Sequence, residues 1–125
     1  MAKKILVIDD EDLIIRSLAK LLEKTGYEAF IAKTGLDAMV MVEEESFDLI
    51  ISDIRMPGIN GIEAIKGIYN ILEKKGEANP PVLFITGYAD KECQQAAKAL
   101  DPIDYIYKPF DIMELVNRIK IALGE

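Results

Sequence analysis

The stretch KKILVIDDED, Lys3 to Asp12, runs four apolar residues straight into four acids. Ile5, Leu6, Val7 and Ile8 are continuous and mostly β-branched, which is how a strand covered on both faces of a parallel sheet reads. Asp9, Asp10, Glu11 and Asp12 follow without a spacer. A buried carboxylate costs several kcal/mol or more unless it is paired. Either a positive charge offsets these acids, or they face water.

Four further apolar runs extend the pattern: EAFIA (28–32), DLIIS (48–52), PVLFIT (81–86) and DYIYK (104–108). The third and fourth strands resemble the first in continuity. The second and fifth are more mixed, which suits positions nearer a sheet edge. Helix-period segments separate them. Ile14, Leu18, Leu21 and Leu22 share a face that stops at Gly26. Thr34 caps a second helix, with Leu36, Met39 and Val40 expected on its buried face. Asn60 and Gly61 open a third, carrying Ile62, Ile65, Ile68 and Leu72. Asp90 is the expected cap of a fourth, with Cys93, Ala96, Ala97 and Leu100. Asp111 caps a fifth, with Ile112, Leu115, Val116 and Ile119 expected on one side. The polar loop at 74–81 is expected to face solvent.

Strand and helix thus alternate five times, which predicts a doubly wound α/β sheet with right-handed crossovers. Ligands of such sheets bind outside the carboxyl ends of the strands. That rule gathers residues far apart in the chain. Asp9 and Asp10 end the first strand, Asp53 the third, Thr86 the fourth and Lys108 the fifth.

Composition narrows the chemistry. With 125 residues, the chain fits one domain, expected to span 1–125. Acids outnumber bases 22 to 15, a net charge of −7, which argues against direct nucleic-acid contact. The chain has no histidine, so Ser-His-Asp catalysis, His-ligated zinc and a phosphohistidine carrier role are excluded. One cysteine, Cys93, forms no internal disulfide, fits a reducing compartment and reads as a small packed residue. No apolar run reaches the ~18 residues of a membrane span. A cytoplasmic location is the default expectation.

Three carboxylates on one rim repel unless a counter-charge joins them. Magnesium takes oxygen ligands, commonly one or two carboxylates plus a phosphate. Lys108 adds a fixed charge, and at ~4 Å a pair in a partly solvated site interacts by roughly 4 kcal/mol. Thr86 adds a hydroxyl. This set suits phosphoryl transfer onto Asp53, because a carboxylate can attack phosphorus to give an acyl phosphate. Asp10 is then the main side-chain metal ligand, and Asp9 acts mostly through the metal's water shell. Lys108 and Thr86 hold phosphoryl oxygens. Glu11 and Asp12 read instead as the solvated start of the first helix, where acids favour the dipole.

The segments VIDDE, DLIISDIRMPGINGIE, PVLFITGY and YIYKPF, in this order and spacing, resemble the response-regulator receiver domain of two-component signalling. The resemblance covers essentially the whole chain. It implies a flavodoxin-like three-layer fold, with a five-stranded parallel sheet in the order 2-1-3-4-5 and five helices. It implies Asp53 as phosphoacceptor, Asp9 and Asp10 as the acidic pair, and the Arg55 backbone carbonyl as a further Mg2+ ligand. Thr86 and Tyr105 resemble the switch pair, in which the hydroxyl moves toward the phosphoryl group and the ring turns inward. Lys108–Pro109 resembles the family's cis peptide. The implied partner is a sensor histidine kinase or a histidine phosphotransfer protein. The implied output is a changed surface on helix 4, strand 5 and helix 5, in a monomer or a phosphorylation-dependent dimer. Catalysis would be limited to the chain's own phosphorylation and dephosphorylation. Arg55 and Tyr88 occupy positions that tune attack of water on the acyl phosphate, and their bulk leads us to expect an intermediate to long lifetime.

Other readings compete. Tyr105 also reads as a half-buried strand aromatic that never switches. A degenerate receiver would bind partners without phosphorylation, but all five site residues are present. A flavodoxin would hold a flavin phosphate with backbone N–H groups rather than three carboxylates. A small-molecule phosphatase with a DxD nucleophile is disfavoured, because Ile54 and Arg55 follow Asp53.

Overall fold

The computed structural model describes residues 2–87 and 91–125. Five strands, β1 (Lys4–Ile8), β2 (Glu28–Ala32), β3 (Leu49–Asp53), β4 (Val82–Thr86) and β5 (Asp104–Tyr107), alternate with five helices. These are α1 (Asp12–Lys24), α2 (Gly35–Glu44), α3 (Gly61–Lys75), α4 (Lys91–Lys98) and α5 (Ile112–Ala122). All strand pairs are parallel, and the sheet order is β2-β1-β3-β4-β5. The two mixed runs, β2 and β5, are its edges.

Alternation along each strand sorts side chains onto two faces. Leu6, Ile8, Ile50 and Phe84 pack under α2, α3 and α4 through Ala38, Val42, Ile62, Ile65, Ile68, Leu72 and Ala97. Ile5, Val7, Ile51, Leu83, Ile85 and Ile106 pack under α1 and α5 through Leu18, Leu22, Leu115 and Ile119. Both faces are covered, so strands β1, β3 and β4 need apolar residues at consecutive positions. Each fully buried Leu, Ile or Val contributes roughly 1.5–3 kcal/mol.

Two helix faces differ from the sequence expectation. Leu36 and Val40 are 65% and 55% exposed, and α2 buries Gly35, Ala38 and Val42 instead. Small residues decide this helix's orientation because they let it approach α3 closely. A Cβ at Gly35 would meet the Ala64 Cβ at 2.9 Å. On α5, Ile112 is 40% exposed, while Leu115, Val116 and Ile119 are buried as expected. Thr34, Asn60 and Asp111 cap α2, α3 and α5 through their side chains. The expected cap Asp90 lies outside the described residues.

Candidate functional site: an acidic rim closed by Lys108

β1 ends at Ile8 in the interior of the sheet, so the next residue, Asp9, remains buried at 1% exposure. Its backbone N–H donates to the Ala32 carbonyl at 3.1 Å, which continues the β1–β2 ladder past the strand end. Asp10, one residue on, is exposed. Asp53 ends the neighbouring strand β3 at 4% exposure. One oxygen each from Asp9, Asp10 and Asp53 lie within 4.8 Å of one another.

Lys108, just beyond β5, closes the rim. Its backbone N–H donates to the Thr86 carbonyl at 2.7 Å. Its Nζ donates to Asp53 Oδ2 at 3.1 Å and to Glu11 Oε1 at 2.7 Å, and stands 3.9 Å from Asp9 Oδ2. The Lys108–Pro109 peptide bond is cis. Thr86 is buried at 2% exposure at the end of β4, beside β3.

The rim is fixed from below. Ile54 N–H donates to Asp53 Oδ1 at 2.8 Å, and Ser52 Oγ donates to the Asp53 carbonyl at 2.9 Å. Gly61 N–H donates to the Ile54 carbonyl at 2.7 Å, which seats the start of α3 against the end of β3. A capping box holds that helix start: Glu63 N–H donates to Asn60 Oδ1 at 2.9 Å, and Asn60 N–H to Glu63 Oε1 at 3.0 Å.

Electrostatics follow from burial. Burial raises the Asp9 carboxyl to about 6; the backbone N–H of Glu11 pulls it down, and Asp53 pushes it up further. Burial also raises Asp53, against the pull of Lys108. For Lys108, burial disfavours the charge, yet the hydrogen bond to Glu11 and the charge and hydrogen bond of Asp53 outweigh it and raise the ammonium. One lysine thus serves three acids, Glu11, Asp53 and Asp9.

A divalent cation fits this donor set. Asp9 Oδ2 is buried and accepts no hydrogen bond. Such an orphaned carboxylate oxygen is costly unless a cation or its water shell meets it. Asp10 opens the same cluster to solvent, as a hydrated magnesium ion requires.

The expected site residues divide in two. Asp9, Asp10, Asp53, Thr86 and Lys108 stand on one rim. Arg55 is exposed, two residues beyond Asp53. Tyr105 is set back on β5 and half-buried, with its ring 6.4 Å from Phe84 and 5.3 Å from Tyr107. Tyr88 lies outside the described residues. The residue missed was Glu11. It does sit at the exposed start of α1, but its carboxylate also belongs to the rim, through Lys108.

A five-stranded sheet of this order carrying an acidic cluster at its carboxyl edge narrows the family, and residues 5–120 match the response regulator receiver domain. The chain belongs to the response regulator receiver family. Among relatives of this receiver, the transcriptional regulatory protein CrdR of Helicobacter pylori is 38% identical over 96% of the chain, which spans 54% of that protein. The sporulation initiation phosphotransferase F of Bacillus subtilis is 36% identical over 96% of the chain and is spanned over 93% of its length. The chain therefore spans about half of one relative and nearly all of the other. Among solved structures, a CheY-like receiver domain protein from Methanospirillum hungatei superposes with a TM-score of 0.88 at 31% identity. That match covers 99% of this chain and 95% of the other. The Vibrio cholerae chemotaxis protein CheY4 gives a TM-score of 0.86 at 28% identity, covering 98% and 100%. Receiver domains are signalling switches phosphorylated by histidine kinases or phosphotransfer proteins. Among the described residues, no helix is long and apolar enough to cross a membrane.

Proposed function

We propose that this receiver accepts a phosphoryl group on Asp53 from a phosphohistidine of a sensor kinase or phosphotransfer protein, with Mg2+ at the acidic rim. The observation that carries this reading is the convergence of three carboxylates within 4.8 Å, with the Lys108 ammonium 3.1 Å from Asp53. Asp9, Asp10, Asp53 and the Arg55 carbonyl would hold the cation. When bound, Mg2+ supplies positive charge to the oxygens of the transferring phosphoryl group.

The residues of the chain do the rest. The hydrogen bonds from Ile54 and Lys108 orient the Asp53 carboxylate. One of its oxygens forms a bond to phosphorus while the P–N bond to the partner's imidazole breaks, and the imidazole keeps that electron pair. Lys108 then turns from the carboxylate to a phosphoryl oxygen, and the Thr86 hydroxyl donates to another. Movement of Thr86 draws Tyr105 inward and reshapes the face formed by α4, β5 and α5. Tyr105 borders an open cavity of about 390 Å³ on that face, lined also by Gln94, Lys98 and Tyr107, whose shape an inward turn of the ring would change. The phosphotransferase named among the relatives supports the direction of the reading.

The test is incorporation of labelled phosphate from acetyl phosphate or a phosphorylated histidine donor. Labelling should need Mg2+ and should vanish in Asp53→Asn. Labelling that persists in that variant, or that ignores chelation, overturns the proposal.

A further inference from the structure

The nearest carboxylate to the Lys108 ammonium is not Asp53. Nζ lies 2.7 Å from Glu11 Oε1, against 3.1 Å from Asp53 Oδ2 and 3.9 Å from Asp9 Oδ2. The contact ties the start of α1 to the end of β5, across 97 positions of chain. Local structure gives Glu11 no other task. It occupies the N-cap of α1 but makes no side-chain cap bond, and glutamate is a weak residue for that position. Its backbone N–H is held by Asp9 Oδ1 at 2.9 Å, which anchors the residue at the rim and leaves the side chain to reach Lys108.

We propose that Glu11 is a positioning residue that shares the Lys108 ammonium with the phosphoacceptor Asp53, keeps it from turning fully to the incoming phosphoryl group, and so slows phosphorylation. This rests on the reading of Asp53 as that acceptor. With acetyl phosphate as donor, an Asp53 oxygen forms the new bond to phosphorus. The bond from phosphorus to the acetate oxygen breaks, and acetate leaves with that electron pair. Charge on the phosphoryl oxygens is met by the Lys108 ammonium. Glu11 competes for that ammonium and also faces the incoming anion with a like charge. Its side chain is 53% exposed and that of Lys108 is 17% exposed, so water screens the pair. The effect is accordingly that of a partly exposed ion pair, about two- to fivefold in rate.

The experiment measures phosphorylation by acetyl phosphate at saturating Mg2+ in the wild type, Glu11→Gln, Glu11→Asp and Asp53→Asn. Glu11→Gln is expected to be phosphorylated about two- to fivefold faster than the wild type. Glu11→Asp keeps the charge but is one methylene shorter, and it should move part of the way in the same direction. A second reading uses melting temperatures without Mg2+. The change caused by Glu11→Gln should be more negative with Lys108 present than in a Lys108→Met background. A Glu11→Gln variant no faster than the wild type overturns the inference alone. So does a Glu11→Asp variant equal to the wild type, or an identical melting change in both backgrounds. Absent labelling of the wild type, or labelling that survives Asp53→Asn, overturns the assignment of Asp53 and this inference with it.

Discussion

Gly61 stands so close to Asp53 that a Cβ there would lie 1.9 Å from the Asp53 carbonyl oxygen and 2.9 Å from Ser52 Oγ. The first of these neighbours is backbone, so no rotamer change relieves the clash. Gly61→Ala must push the start of α3 away from the end of β3 and strain the Gly61–Ile54 hydrogen bond. We expect a loss of about 1–3 kcal/mol of stability, as for other overpacked sites. Phosphate incorporation at Asp53 should also fall by more than stability explains, because the carboxylate itself is displaced. Denaturant melts and labelling rates on the same sample check both parts. A variant with wild-type labelling would show that α3 does not position the acceptor.

Asp9 makes the metal-free fold sensitive to pH in an unusual direction. Its carboxyl is raised by burial from 3.8 to about 6. Between those values the folded chain keeps a proton that the unfolded chain releases, so this group's contribution to stability falls as pH rises from about 4 to about 6. The penalty at neutral pH is on the order of 3 kcal/mol at most. The groups facing it are Asp10, Asp53, Lys108 and Glu11. Asp9→Asn should therefore melt several degrees higher than the wild type in chelator at about pH 7.5, and nearly level with it at about pH 4. Mg2+ should stabilise the wild type more than the variant. Melting curves at the two pH values, with and without Mg2+, decide it; an equal difference at both would sink the argument.

Much of this was legible in the sequence, for physical reasons. Burial on both faces demands continuous apolar strands, and the ILVI, LIIS and VLFI runs meet that demand. The carboxyl-edge rule then gathers Asp9, Asp10, Asp53, Thr86 and Lys108 without any knowledge of contacts. Glu11 escaped because its partner is 97 positions away, and nothing local distinguishes it from the exposed acid beside it, Asp12. The face of α2 escaped for a different reason. Size and hydrophobicity point to Leu36 and Val40, whereas close approach to α3 selects Gly35, Ala38 and Val42.

That reversal on α2 predicts opposite costs for neighbouring residues. Leu36 is 65% exposed, so Leu36→Gln should change stability by less than about 0.5 kcal/mol. Val42 is 1% exposed within the core under β1 and β3, so Val42→Ala should cost about 2 kcal/mol. Equilibrium unfolding in urea measures both. Equal costs would mean that α2 turns its larger residues inward in solution.

Thr86 offers the cleanest separation of chemistry from packing on this rim. It is 2% exposed at the end of β4, in register with Tyr107 of β5. Thr86→Val keeps the shape of the side chain and removes only the hydroxyl. The strand, whose other residues are all buried and mostly apolar, should accept the extra methyl, and any loss of stability should stay within about 1.5 kcal/mol, the worth of one hydrogen bond. If the hydroxyl donates to a phosphoryl oxygen, losing that bond costs about 0.5–1.5 kcal/mol, or roughly two- to twelvefold in the rate of labelling. Thr86→Ser, which keeps the hydroxyl and loses a methyl, should reverse the pattern: near-normal labelling with a lower melting temperature. Labelling of Thr86→Val at the wild-type rate would remove Thr86 from the phosphoryl contacts and leave Lys108 as the side chain of the rim that meets the transferred group.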